Sequence, residues 1–156
     1  MKLQRILVPV DYSTCSVAAL RFAVGLAAVF SAKLDIVHVW DRPSYVTDIV
    51  MTATDPVSSK SMLRMIQENA ERDLSEFLKS AEVPGEPVTG RLVSGDPAAA
   101  LLRELKQGDF DLVIVGTHGR TGLSHALLGS VAEKLVRLSH VPVLTVPDEA
   151  AVKLRA

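Results

Sequence analysis

The sequence predicts a three-layer α/β domain, an open five-stranded parallel sheet with helices on both faces. Three observations lead there. Five short runs, at residues 5–10, 34–39, 88–93, 112–115 and 141–146, are mainly apolar and rich in β-branched residues. Strands that are buried on both faces read this way, whereas half-exposed strands alternate. Helix-like stretches separate the runs, so the order is βαβαβαβαβ, which calls for right-handed crossovers in one parallel sheet. The length, 156 residues, suits one domain with a substantial core. It is expected to span residues 1–147, with a loose tail over 148–156 after Pro147.

Each helix has its own warrant. The first, residues 13–31, places Ala19, Phe22, Ala23, Leu26 and Phe30 on one stripe. The second, residues 58–81, carries Met62, Met65, Ile66, Asn69, Ala70, Asp73, Leu74, Phe77 and Leu78 at the spacing of one helical face, and the two methionines are expected in the core. The third opens on Asp96-Pro97, an N-cap followed by proline at the first helical position, and stops at Gly108. The fourth starts near Gly129-Ser130 and turns Val131, Ala132, Leu135 and Val136 inward. The stretch from Trp40 to about Val57 is long for a connection in a compact domain, and reads as a flap over a site or as a plain excursion.

Composition excludes several functions. Net charge is −1 and aromatics are 4%, so neither a basic nucleic-acid footprint nor a base-stacking platform is present. Cys15 is the single cysteine, which rules out an internal disulfide or a cysteine-built zinc site. No apolar run approaches the ~20 residues of a membrane span, and no signal-peptide pattern opens the chain. A cytoplasmic protein with no membrane or nucleic-acid partner is the expectation.

In open α/β sheets, ligands sit beyond the carboxyl ends of the strands where the strand order reverses. Two orders are common, 2-1-3-4-5 and 3-2-1-4-5. Unusual chemistry follows strand one (Pro9-Val10-Asp11) and strand four (Gly116 to Gly122), while strand three ends in an ordinary cap. That selects 3-2-1-4-5. Gly116, Gly119 and Gly122 permit positive φ and close backbone approach. Gly129-Ser130 then opens a helix whose free N–H groups, at Ser130, Val131 and Ala132, suit phosphate. Arg120 adds a cation. The competing reading is a loop of ordinary turn glycines with a serine cap. No P-loop, dinucleotide fingerprint or nucleophile elbow is present.

The spacing Gly116, Gly119, Gly129, Ser130 fits G-x2-G-x9-G-[S/T], and with Ile6-Leu7-Val8-Pro9-Val10-Asp11, Val37-His38-Val39, Gly95-Asp96-Pro97 and Val141-Pro142-Val143-Leu144 it resembles the nucleotide-binding branch of the universal stress protein family. The resemblance covers nearly the whole domain. It implies the adenine nucleotide alpha hydrolase-like, Rossmann-like arrangement with order 3-2-1-4-5, and ATP in the crevice. By analogy Pro9, Val10 and Asp11 line the adenosine end and Val39 meets adenine. Gly116, Thr117, His118, Gly119, Arg120, Thr121 and Gly122, with Gly129, Ser130, Val131 and Ala132, hold ribose and phosphates. Mg²⁺ or Mn²⁺ rides on the phosphates without a dedicated cage.

Asp11 reads as a ribose ligand or as a cap on the first helix, and His118 as a phosphate contact or as loop filling. His38 and Cys15 read as packed, His125 and His140 as solvated or capping, and Ser124 as undecided. No catalytic residue stands out: an ATPase needs a placed base and charge stabilisation, and only binding donors are visible. The expected function is a nucleotide-dependent regulatory sensor with slow or no hydrolysis. The rivals are a weak Mg-dependent ATPase and a dimeric scaffold without nucleotide. A bare edge strand from Val141 to Val146 invites pairing with its copy in a homodimer.

Overall fold

The computed structural model describes residues 2–40, 56–81 (56–63 as backbone only), 88–119 and 128–148. In chain order the elements are β1 (Arg5–Val10), α1 (Thr14–Phe30), β2 (Lys33–Trp40), α2 (Pro56–Ser80), β3 (Gly90–Ser94), α3 (Pro97–Gln107), β4 (Leu112–Gly116), α4 (Ser130–Leu138) and β5 (Val143–Val146). The strands form one parallel sheet in the order 3-2-1-4-5. Its register sets Ile6 against both Leu34 and Leu112, Val10 against His38, and Gly116 against Val146.

The bare apolar runs are explained by two cores. Ile6, Val8, Val10, Ile36 and Ile114 face α1 and α2, where they meet Ala19, Leu20, Ala23, Leu74, Phe77 and Leu78. Leu7, Val37, Val113 and Val115 face the other way, onto Leu101, Leu105, Ala132 and Leu135 of α3 and α4. Alternate residues of one strand therefore serve opposite layers. Each fully buried Leu or Ile contributes about 1.5–3 kcal/mol through loss of water contact.

Several expectations shift. Strand β3 begins at Gly90 and β5 at Val143, each two residues later than the apolar runs suggest. Before β5, the Ser139 hydroxyl donates to the Val141 carbonyl and accepts from the Val141 amide, so that residue belongs to a turn. Helix α1 buries Cys15, Ala18, Ala19, Leu20, Ala23 and Ala27, while Phe22 and Phe30 are 46% and 53% exposed. Small side chains let α1 lie close on the sheet, which leaves its aromatics on the outer flank. Met65 is likewise exposed, at 57%, and the described core of α2 comes from Leu74, Phe77 and Leu78. The Met62 side chain falls outside the described residues. Val136 is half exposed because α4 rests on its Ala132 and Leu135 side. Asp148 is held at the start of the expected tail, accepting from the Thr14 hydroxyl at 2.6 Å.

Candidate functional site

Chain order reverses at β1, which has β2 on one side and β4 on the other. At the carboxyl ends of these strands lies a cleft of about 300 Å³. Pro9, Val10 and Asp11 border it from β1, and Val39 from β2. Gly116, Thr117, His118 and Gly119 border it from the end of β4, and Gly129, Ser130, Val131 and Ala132 from the start of α4. Arg120, Thr121 and Gly122 lie outside the described residues, as do Ser124, His125 and most of the 40–57 connection.

The apolar part of the cleft includes residues not singled out by the sequence. Val37 and Val115 share a sheet face with Val39, and Pro97 and Leu101 come from the first turns of α3. Ser16 and His38 complete the lining. The period-2 alternation that puts Val37 beside Val39 was readable, but a valine in a buried strand carries no mark that separates core from ligand wall.

Asp11 leaves the end of β1 and makes a tight local bond pattern. Its Oδ1 accepts from the Ser13 amide at 3.1 Å and from the Ser13 hydroxyl at 2.5 Å. Ser13, rather than Asp11, caps α1, with its Oγ accepting from the Ser16 amide at 3.2 Å. The other oxygen, Oδ2, lies on the glycine side: a Cβ built on Gly119 would fall 2.6 Å from it.

The glycines work by absence of a side chain, not by unusual backbone angles. Among the described glycines only Gly95 has positive φ. A Cβ on Gly116 would stand 2.8–3.0 Å from Cys15 Cβ, C and O, so β4 meets the first turn of α1 backbone to backbone. A Cβ on Gly129 would stand 3.4–3.5 Å from Thr117 O, Gly119 N and His118 Cα, over the inner surface of the loop. The Gly129 amide donates to Thr117 O at 2.7 Å, which binds the mouth of α4 to that loop, and the Thr117 amide donates to Val146 O at 2.9 Å.

Helix starts at this end of the sheet are treated unequally. Ser13 caps α1, and Asp96 caps α3 by accepting from the Ala99 amide at 2.9 Å. Helix α4 has Gly129 at its cap and, among the described residues, no side-chain acceptor, and Ser130 is its first helical residue. With respect to those residues its leading N–H groups stay available to an anion, with the positive end of the helix dipole behind them. His118 adds a polar edge. Its Nδ1 lies 3.0 Å from Thr117 Oγ1, while its enclosed Nε2 has no partner among the described residues.

His38 is packed, with Nδ1 2.8 Å from the Val10 carbonyl and its ring stacked on Tyr12. Cys15 is buried and His140 exposed. The displaced proton equilibria are away from the cleft. Hydrogen bonds to Asp35 and Glu104 hold the Arg91 pKa above its ordinary value, and two amides, of Gln4 and Arg5, pull Asp111 below the usual carboxylate value. Among the described residues no group of three or more His, Cys, Asp or Glu side chains could hold a metal ion, and no helix is long and apolar enough to cross a membrane.

Comparison with known proteins agrees with this architecture. The profile of the Universal stress protein family matches residues 2–147. Universal stress protein MJ0531 of Methanocaldococcus jannaschii is 30% identical over 143 residues, covering 92% of this chain and 81% of that protein. The solved structure of MJ0577, a universal stress protein of the same organism, superimposes with a TM-score of 0.73 at 25% identity, covering 94% of this chain and 97% of that one. A universal stress protein solved in complex with cAMP superimposes with a TM-score of 0.60 at 27% identity, covering 96% and 100% of the two chains. The chain belongs to the universal stress protein family.

Proposed function

We propose that the cleft binds an adenine nucleotide, and that the protein acts as a nucleotide-dependent regulatory sensor or switch with slow or no hydrolysis. The observation that carries this reading is the uncapped first turn of α4 opening into a cleft with an apolar wall. One end offers backbone amides to phosphate. The other offers Val10, Val37, Val39 and Leu101 to a flat base. The relative in complex with cAMP supports the choice of an adenine ligand.

In this reading Pro9, Val10 and Val39 take the adenosine end. The loop from Gly116 to Gly122 (with Thr117, His118, Arg120 and Thr121) and the mouth of α4 from Gly129 to Ala132 take ribose and phosphates. Asp11 sorts the ligand's polarity. An ionised carboxylate accepts hydrogen bonds and repels phosphate, so the sugar hydroxyls go beside Asp11 and the phosphate tail goes toward α4. The donor set fits a divalent ion such as Mg²⁺ or Mn²⁺ held mainly by phosphate oxygens and water, since the described lining has one carboxylate. Such an ion would neutralise phosphate charge. The place of β5 at the end of the strand order suits a homodimer built on residues 141–146, and the reading expects a cytoplasmic protein that works apart from membranes and nucleic acids.

Calorimetric titration with ATP, ADP and AMP, with and without Mg²⁺, tests the proposal. Saturable binding is expected. No saturation at millimolar nucleotide overturns it and leaves the scaffold reading.

A further inference from the structure

Tyr12 has a left-handed backbone, with φ of 67°. Glycine or asparagine adopts that region with less strain, so a bulky residue there needs compensation from its surroundings. The compensation is visible. The Tyr12 ring stacks on His38 at 4.2 Å between centroids with planes 18° apart, and meets Phe77 on another side at 5.1 Å. His38 is itself fixed, because its Nδ1 lies 2.8 Å from the carbonyl of Val10, the residue opposite it in the sheet. A carbonyl only accepts, so Nδ1 carries the proton. Asp11 lies in the chain between Val10, whose carbonyl meets His38, and Tyr12, whose ring stacks on it. Its Oδ1 is taken by Ser13, and its Oδ2 is directed toward Gly119 at the cleft.

We propose that Tyr12 is a positioning residue for ligand selection: its ring, clamped by His38 and Phe77, holds the left-handed turn that aims Asp11 Oδ2 at a sugar hydroxyl. This deepens the nucleotide reading and rests on it. The strained turn is kept because it points one carboxylate oxygen into the cleft while Ser13 holds the other. Sugar discrimination, rather than overall affinity, is what Tyr12 sets.

The test compares ATP with 2′,3′-dideoxy-ATP by calorimetry. A hydrogen bond to an ionised acceptor predicts that the native protein prefers ATP by about tenfold or more. Tyr12→Phe keeps the ring and is expected to keep the preference. Tyr12→Asn tolerates the backbone but lacks the ring, and its preference is expected to collapse to within about twofold through weaker ATP binding at unchanged dideoxy affinity. Phe77→Leu, which removes the other ring contact and lies outside the cleft lining, gives a second route to the same loss should Tyr12→Asn fail to fold. Equal weakening of both nucleotides, with the ratio preserved, overturns the inference in favour of a purely structural role. Loss of the preference in Tyr12→Phe overturns the ring clamp. A native protein that binds both nucleotides equally overturns the inference while leaving nucleotide binding intact, whereas one that binds neither overturns the nucleotide reading itself.

Discussion

Replacing Gly116 with alanine separates two accounts of the glycine loop. If the glycine serves backbone freedom, alanine is costly only where φ is positive, and Gly116 has no positive φ. If it serves close approach, the added methyl meets the first turn of α1 at 2.8 Å from Cys15 Cβ, 2.9 Å from Cys15 C and 3.0 Å from Cys15 O. Two of those three atoms are backbone, so relief requires moving a helix rather than rotating a side chain. Overpacking of this kind costs about 1–3 kcal/mol. Against it stands the entropy that alanine removes from the unfolded chain, about 0.4–1 kcal/mol in favour of the variant. The clash wins, with a net loss of about 1–2 kcal/mol. At about 2–4 °C per kcal/mol for a domain of this size, Tm should fall by about 2–8 °C. Thermal and urea unfolding followed by circular dichroism measure it. Gly25→Ala is the internal control: it lies mid-helix in α1 with nothing within 4 Å of a built Cβ, and should gain about 0.5–1 kcal/mol. A Gly116→Ala protein as stable as the parent would refute the close-approach account.

Gly129→Val should do the opposite of Gly116→Ala: its Cβ makes ordinary contacts of 3.4–3.5 Å, so Tm changes little, while the methyls cover the loop amides and lower ATP affinity by about tenfold or more. Unchanged affinity would remove the cradle from the mechanism. Asp111→Asn tests the bonds from the Gln4 and Arg5 amides, at 2.7 and 2.9 Å, that lower the Asp111 pKa. A lowered carboxylate pKa stabilises the fold above the ordinary value near 4 and loses that stability as pH falls through the folded value, so the urea midpoints of parent and variant should differ at pH 7 and converge toward pH 3. A gap that is constant with pH would count against it. Phosphate release from ATP with Mg²⁺ should stay well below ~1 s⁻¹, the low end for kinases, and a faster rate would favour the ATPase reading.

Much of the fold was legible because local and global signals agree. Helix α3 runs from Pro97 to Gln107 between the Asp96 cap and Gly108, as its end signals predict. The strand order followed from where unusual residues cluster, after strands one and four. The inward face of α1 was legible only in part: Ala19 and Ala23 are buried as expected, whereas Phe22 and Phe30 are not. Hydrophobic weighting favours Phe22 and Phe30, but a helix lying close to a sheet buries its small residues, and alanine carries little signal. The glycines were legible as a pattern, with two uses open, positive φ and close approach: neither Gly116 nor Gly119 has positive φ, and at both other protein atoms, rather than only a ligand, come too near for a Cβ. Nothing in the sequence marks Tyr12 as left-handed, since its conformation depends on His38 and Phe77, distant in the chain.

What distinguishes this end of the sheet is a choice about caps. A helix start with alanine at the cap forgoes about 1 kcal/mol relative to one closed by Ser, Asp or Asn, and one with glycine roughly a few tenths of that. The chain makes that closure at Ser13 for α1 and at Asp96 for α3, with side-chain oxygens accepting amides of the first turn. At α4 it places glycine, which has no oxygen to offer, and puts Ser130 one residue too late to cap. A Cβ at this position would meet Thr117 O, Gly119 N and His118 Cα at 3.4–3.5 Å, which is ordinary contact, so packing alone does not demand glycine there. The demand comes from the ligand side: an anion needs amides without a resident acceptor. A serine at 129 would cap α4 and place its oxygen where the phosphate is proposed to bind, improving the helix at the expense of the site. The stability forgone at α4 is available to be recovered when a phosphate supplies the absent acceptor.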